Sequence, residues 1–272
     1  MTRHRGRNDE VSMCASGKAK VRCRSAFLLA LLLWSALAYG EGKEPQVRLY
    51  YYERPPFHFT DAKGQVRGSI AENAEDTLRR AQIPFEWIAM PANRILQTLR
   101  NEKGPACSPG WYSTPARRAE FVLSKAMIRD KPLIALVRED FEVPTGITAK
   151  AFFDMPQVRL LMKQNFSQGA YMDILIARMP EERVQRVGLE VPQMVRMLKA
   201  NRADAVITTE AEAGLFVGDA GLSMHEFKMV RFPDVPAEEY RYMLCGRGIG
   251  AAAIGRIDKA IEATGPVSSP RP

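Results

Sequence analysis

The segment Gly110–Lys125 orders its residues in the way most suggestive of chemistry: Gly110, Thr114-Pro115, Arg117, and then Leu123-Ser124. A threonine followed by proline suits a helix start, with the hydroxyl capping free N–H groups and proline fitting the first turn. Arg117 then falls inside that turn. A guanidinium beside unpaired helical N–H groups is a strong site for a carboxylate, because planar bidentate pairing adds to the backbone dipoles. The same residues admit a plainer reading, a solvated basic pair of Arg117 and Arg118 beside Glu120.

Catalytic patterns are thin elsewhere. Beyond residue 40 the only histidines are His58 and His225, too few for a multi-His metal site. His225-Glu226 is not followed by the second histidine that a zincin helix needs. There is no G-x-S-x-G, no Walker loop, and no G-x-G-x-x-G opening a helix after a strand; Gly246–Gly250 (GRGIG) reads as a turn. No metal and no organic cofactor is expected. His58, Glu72 and Glu210 are the visible candidates for a general acid or base, and none sits in a diagnostic motif.

The 272 residues carry 39 Lys/Arg and 31 Asp/Glu, a formal charge of +8, but residues 1–40 hold seven of the basic and two of the acidic residues. The remainder, 32 basic and 29 acidic, is only mildly positive, which argues against nucleic-acid binding. With 46% apolar residues the chain is globular in composition. Seven basic residues from Arg3 to Arg24 precede the uncharged run Ala26–Ala38, with small residues at Ala36, Ala38 and Gly40. Residues 1–40 therefore read as an export leader, with Met13 as an alternative start. The other reading is an uncleaved anchor, although the run falls short of the roughly 20 residues a spanning helix needs. Without the leader two cysteines remain, Cys107 and Cys245, which are either a disulfide or two unrelated buried thiols.

The elements around these residues alternate. Val47–Tyr52 reads as a strand, a short hairpin surrounds Asp61–Gly64, and Ser69 caps a helix to about Ala81. Phe85–Ala89 is expected as strand and Ala92–Asn101 as helix, followed by a turn-rich stretch, Pro105–Pro115. Phe121–Leu123 and the apolar Leu133–Val137 come next, and Arg138–Thr148 looks like a crossing between domains. Val158–Met162 (strand), Ser167–Ala177 (helix), Pro192–Ala200 (helix), Ala205–Ile207 (strand), Tyr240–Cys245 (strand) and Gly250–Ala263 (helix) complete an α/β pattern with largely parallel sheets.

The block around Arg117 resembles the signature of family 3 extracellular solute-binding proteins, the periplasmic amino-acid-binding type, in which Gly, Thr-Pro-x-Arg and a later Ser recur in this order. Pro55-Pro56-Phe57 followed by Gly64 and Gly68 resembles that family's opening, with Glu72 in its acidic place. Asn201–Val206 resembles its G-x-x-D-A-V strand entry, and Ser167 its second-lobe turn. The likeness spans about Val47 to Ala263. It implies the type II periplasmic-binding-protein fold, two α/β lobes joined by two hinge strands. Lobe one would comprise 43–138 and 237–264, lobe two 139–236, and 265–272 a disordered tail. A second crossing near Pro233–Pro236 would bring Cys107 and Cys245 together as a disulfide.

The resemblance further implies a monomer that closes on a small polar, carboxylate-bearing solute and serves an ABC transporter permease or an inner-membrane sensor. Arg117 would bind the carboxylate beside Thr114, Gly110 would offer backbone, and Ser167 would close from lobe two. Tyr52, Phe57 and Trp111 would supply aromatic walls, although each could equally pack into the core. Two departures matter: Tyr112 replaces a small hydroxyl residue, and Thr209 stands where an acid should meet an amino group, with Glu210 one further on. If Glu210 stays out of the cleft, an amino acid's ammonium would be desolvated and unpaired. A dehydratase-like enzyme on the same fold is the alternative function.

Overall fold

In the computed structural model, residues 46–236 and 239–268 are described; the expected leader lies outside them. β-Branched and aromatic residues at Val47–Tyr51 form β1, which pairs in parallel with β4 (Phe85–Ala89) and with β5 (Ala106–Tyr112). The late strand β12 (Glu239–Cys245) inserts antiparallel between β5 and β6 (Val122–Asp130). With β13 (Val267–Ser268) at the edge, the order is β13-β6-β12-β5-β1-β4. A second sheet runs β11 (Phe227–Arg231), β7 (Ile134–Arg138), β10 (Ala205–Thr208), β8 (Leu160–Lys163), β9 (Val184–Val187). The chain thus passes between sheets twice, at 131–133 and between Arg231 and Glu239. A small hairpin, β2 (Phe59–Thr60) with β3 (Val66–Arg67), surrounds the expected turn.

Each sheet has its own apolar core because each is flanked by amphipathic helices. In α1 (Ser69–Arg80) the residues Ile70, Ala74, Thr77 and Leu78 are buried, and α2 (Ala92–Asn101) buries Ile95 and Leu99. These pack with Leu49, Cys107, Met243 and the closing helix α8 (Ala251–Thr264) around the first sheet. Around the second sheet lie α4 (Ala149–Asp154), α5 (Ala170–Ile176), α6 (Val191–Lys199) and α7 (Glu210–Asp219). The short α3 (Pro115–Glu120) follows β5. No helix among the described residues is long and apolar enough to cross a membrane.

Five expectations change. Pro105–Pro115 is not a loop: Ala106–Tyr112 is a strand buried at every position, tolerating Pro109 and Gly110 where β12 shifts register against it. The first crossing lies at 131–133 and not at 138–148, because Ile134–Arg138 pairs with β10 and β11 of the second sheet. Ser69 does not cap α1; Gly68 does, at φ 110, where a Cβ would stand 2.5 Å from the Phe57 carbonyl oxygen. Ser167 precedes α5, whose cap is Gly169. Within the expected tail 265–272, Val267–Ser268 pairs with β6 as a strand, and 269–272 lie outside the described residues.

Cys107 and Cys245 face each other across β5 and β12 and form a disulfide spanning 138 residues. Closing so long a loop restrains the unfolded chain by roughly 5 kcal/mol in the chain-entropy model. Urea unfolding under reducing conditions, or of Cys107→Ala/Cys245→Ala, should therefore show a loss of about 3–5 kcal/mol relative to the oxidised protein.

Candidate functional site

The ends of β1, β5, β8 and β10 converge on a cleft of about 370 Å³ between the two sheets. Tyr52, Gly110, Trp111, Arg117 and Ser167 line it, as do Arg54, Tyr112, Lys163, Glu212 and Arg241. Of the residues expected at the site, three lie elsewhere. Thr114 faces a neighbouring hollow, where its Oγ1 accepts the Arg117 N–H at 3.2 Å; it supports Arg117 from behind. Phe57 is fully buried beneath the Arg54 guanidinium at 4.9 Å and does not reach the cleft. Glu210 turns away to Arg231, whose Nε donates to it at 2.5 Å, in a separate hollow.

Arg117 is buried at the seam. Pro115 fixes the first turn of α3, Arg117 follows in that turn, and its side chain lies over the Trp111 ring at 4.8 Å. Nη1 donates to the Tyr112 carbonyl at 2.8 Å, and Nη2 lies 3.5 Å from the Asn165 carbonyl of the second lobe. Among the described residues no carboxylate pairs with it. Burial lowers its pKa to about 10, so the group stays charged at neutral pH while desolvated.

The other cations have acids. Arg54, from the first lobe, makes a two-pronged bridge to Glu212 of α7: Nε to Oε1 at 2.6 Å, Nη2 to Oε2 at 3.1 Å. Thr208 and Thr209 hydroxyls also donate to Glu212 Oε2, at 3.2 and 3.0 Å. Burial alone would push the Glu212 carboxyl up, but Arg54's charge and hydrogen bonds outweigh it and hold the group below its ordinary value. Arg241 on β12 donates to Asp130 Oδ2 at 2.5 Å, to the Gly110 carbonyl at 3.0 Å and to the Tyr112 hydroxyl at 2.8 Å. Tyr112 in turn donates to Asp130 Oδ2 at 2.6 Å, while Asp130 Oδ1 is buried without a partner. The bulky residue at position 112 thus does structural duty, orienting Arg241. Lys163 bridges to Glu190 at 2.7 Å.

The two sides are closed on one another. Phe166 of the second lobe meets Tyr52 at 5.6 Å and Trp111 at 6.3 Å between ring centres, and Asn165 Nδ2 donates to Asn93 Oδ1 at 3.2 Å. Ala170 N–H donates to Glu239 Oε1 at 2.8 Å across the second crossing. Ser167, expected to reach for a solute, donates instead to Asp173 Oδ2 at 2.5 Å and accepts the Gly169 N–H at 3.1 Å. His58 is buried with Nδ1 2.6 Å from the Tyr52 carbonyl; desolvation, with Arg54 beside it, lowers its pKa to about 3.

Sequence reasoning missed Arg54, Lys163, Glu212 and Arg241. One signal was present for Glu212: Thr209-x-x-Glu212 is a helix-start pattern, and Thr209 does cap α7 by accepting the Glu212 N–H at 3.3 Å. The other three lie on strand ends or a loop, where spacing says nothing about direction.

The model for bacterial extracellular solute-binding proteins, family 3, matches residues 49–182. Among solved structures, holo ArgBP from T. maritima aligns with TM-score 0.61 at 18% identity, covering 82% of this chain and 91% of its own. An ancestral arginine-binding protein bound to arginine aligns at 0.62 and 20%, covering 81% and 92%. The arginine-, lysine-, histidine-binding protein ArtJ from Geobacillus stearothermophilus aligns at 0.61 and 17%, covering 80% and 88%. At such identities the likeness is one of fold, the two-lobed periplasmic-binding-protein type. No curated relative matches the sequence. Over residues 49–182 the chain matches family 3 of the bacterial extracellular solute-binding proteins.

Three outcomes follow from the charges. Glu212→Gln leaves Arg54 buried against a neutral amide, a loss of about 3 kcal/mol if the lobes stay together. Small-angle scattering should show a larger radius of gyration, with both lobes still folded. The wild type should open likewise in acid: the Glu212 pairing is intact above about pH 4.3 and fades as pH falls through its lower closed-state value. His58 acts over a different window. Its folded pKa of about 3 lies below the unfolded value near 6.5, so the unfolded chain binds the extra proton in between. Unfolding free energy should therefore decline by up to about 1.4 kcal/mol per pH unit below about pH 6.5, a slope His58→Gln removes.

Proposed function

We propose that this protein captures a small carboxylate-bearing solute in the cleft between its lobes and closes around it by hinge motion. One observation carries the reading: Arg117 is the cleft's buried cation with no carboxylate against it among the described residues. Two of its five N–H groups meet carbonyls, so donors remain for a bidentate acid. Such an anion would offset the desolvation of the guanidinium and would also touch the second lobe beside Asn165. Binding would thereby favour the closed arrangement over the open one.

In this role Tyr52 and Trp111 form the aromatic wall, Gly110 brings backbone close, and Thr114 holds Arg117 from behind. Ser167 acts indirectly, by fixing the Asp173 turn that carries Phe166 and Gln168 to the cleft. The family and the amino-acid ABC-transporter binding protein among its structural neighbours support a periplasmic role in transport or sensing, with a permease or an inner-membrane sensor as partner. Binding without catalysis is supported by where the acid–base candidates sit. His58 is buried and held neutral, Glu72 is exposed on α1, Glu210 pairs with Arg231, and none lines the cleft.

Thermal shifts against amino-acid and organic-acid panels test this directly. Arg117→Ala should weaken any carboxylate ligand by about 30-fold or more, equivalent to about 2 kcal/mol, while leaving the ligand-free unfolding midpoint near that of the wild type. A ligand shift that survives the substitution refutes the assignment.

A further inference from the structure

The cleft's charges say more about the solute than that it is an acid. We infer that the solute held at Arg117 is a carboxylate with an apolar body and no ammonium group, the body lying against the aliphatic wall of the second lobe. This rests on the reading of Arg117 above and narrows it.

An ammonium entering the cleft needs a carboxylate. The single buried acid of the lining is Glu212, and both its oxygens are committed to Arg54, with Thr208 and Thr209 adding to one of them. Glu53, Glu190 and Asp219 lie at the exposed rim. Of these, Glu53 accepts from the Thr60 N–H and hydroxyl, at 3.0 and 2.6 Å, and Glu190 holds Lys163. Asp130 stands behind Tyr112 and Arg241, out of the lining, and Asp173 has one oxygen on Ser167 and the other on the Gln168 N–H. Glu210 is outside altogether. A buried ammonium would be left desolvated against other cations, at a cost no contact of the cleft offsets.

Aromatic faces are the other means by which proteins hold an ammonium. Here the chain's own cations already cover them. Arg117 lies over Trp111 at 4.8 Å, and Lys163 Nζ lies over Phe166 at 5.0 Å and Tyr52 at 5.8 Å. A ligand cation placed there would meet like charge at short range.

Apart from Ser167, Gln168, Thr208 and the rim acids, what remains of the second-lobe lining is apolar. Leu161, Met162, Met194, Val206 and Ile207 from the second lobe line the cleft together with Leu133 at the crossing, and all six are buried. They offer no polar partner to the far end of a solute, so a hydroxyl- or amine-tipped chain would lose its hydration there, while a hydrocarbon or phenyl body gains by burial. Acid end to Arg117 and apolar end to Leu161 and Val206 satisfies both walls at once.

Matched pairs that differ only by the ammonium test this on the full chain by isothermal titration: phenylalanine against 3-phenylpropionate, and leucine against 4-methylpentanoate, with succinate as a polar acid. The deaminated acid of at least one pair should bind more than tenfold tighter than its amino-acid counterpart and tighter than succinate, and Arg117→Ala should weaken that binding by about 30-fold or more. An amino acid binding tighter than its partner or within tenfold of it, or succinate binding best, overturns this inference while the Arg117 reading stands. Silence from every acid overturns both.

Discussion

Four cations crowd the seam between two sheets, and a buried charge is tolerated only when something of opposite sign or suitable dipole faces it. Arg54 answers to Glu212, Arg241 to Asp130 and Lys163 to Glu190, whereas Arg117 has carbonyl oxygens alone. That imbalance shapes the rest. The matched pairs hold the cleft's walls and consume the acids that would otherwise meet a solute, and the unmatched one gives the cleft its sign.

Topology makes the pairing achievable. β12 leaves the second lobe and enters the first sheet between β5 and β6, so Arg241 comes to rest over Tyr112 at 4.0 Å and beside Asp130, more than a hundred residues away in sequence. The same strand carries Cys245 to Cys107. Glu239, at its start, receives the N–H of Ala170 and so ties the second crossing to the first turn of α5. The groups that touch across the seam project from strand ends, helix starts and the short loops beside them.

Much of this was legible in the chain. Periodic helices such as Ala92–Asn101, and strands with unmixed β-formers such as Phe85–Ala89, declared themselves because local pattern and tertiary burial agree there. Ala106–Tyr112 did not: Ser108, Pro109 and Gly110 carry turn propensity, and only pairing with β1 and β12 on both sides overrides it. Ser69 and Ser167 misled for a related reason, since a serine near a helix start is a cap only if the backbone leaves its hydroxyl facing the first turn, and glycines at positive φ took that place.

The residue order alone determined the α/β alternation, the Thr114-Pro115-Arg117 turn and the family likeness, because these depend on contacts within a few positions. The partners of buried charge were decided by the tertiary structure. Whether Glu210 or Glu212 turned inward was a matter of helix rotation against the second sheet, and a difference of two residues on a helix changes the face by more than a right angle. Which cation stayed unmatched depended on side chains converging from β5, β8, β12 and α7, whose separations in the chain carry no information about direction until both cores have formed.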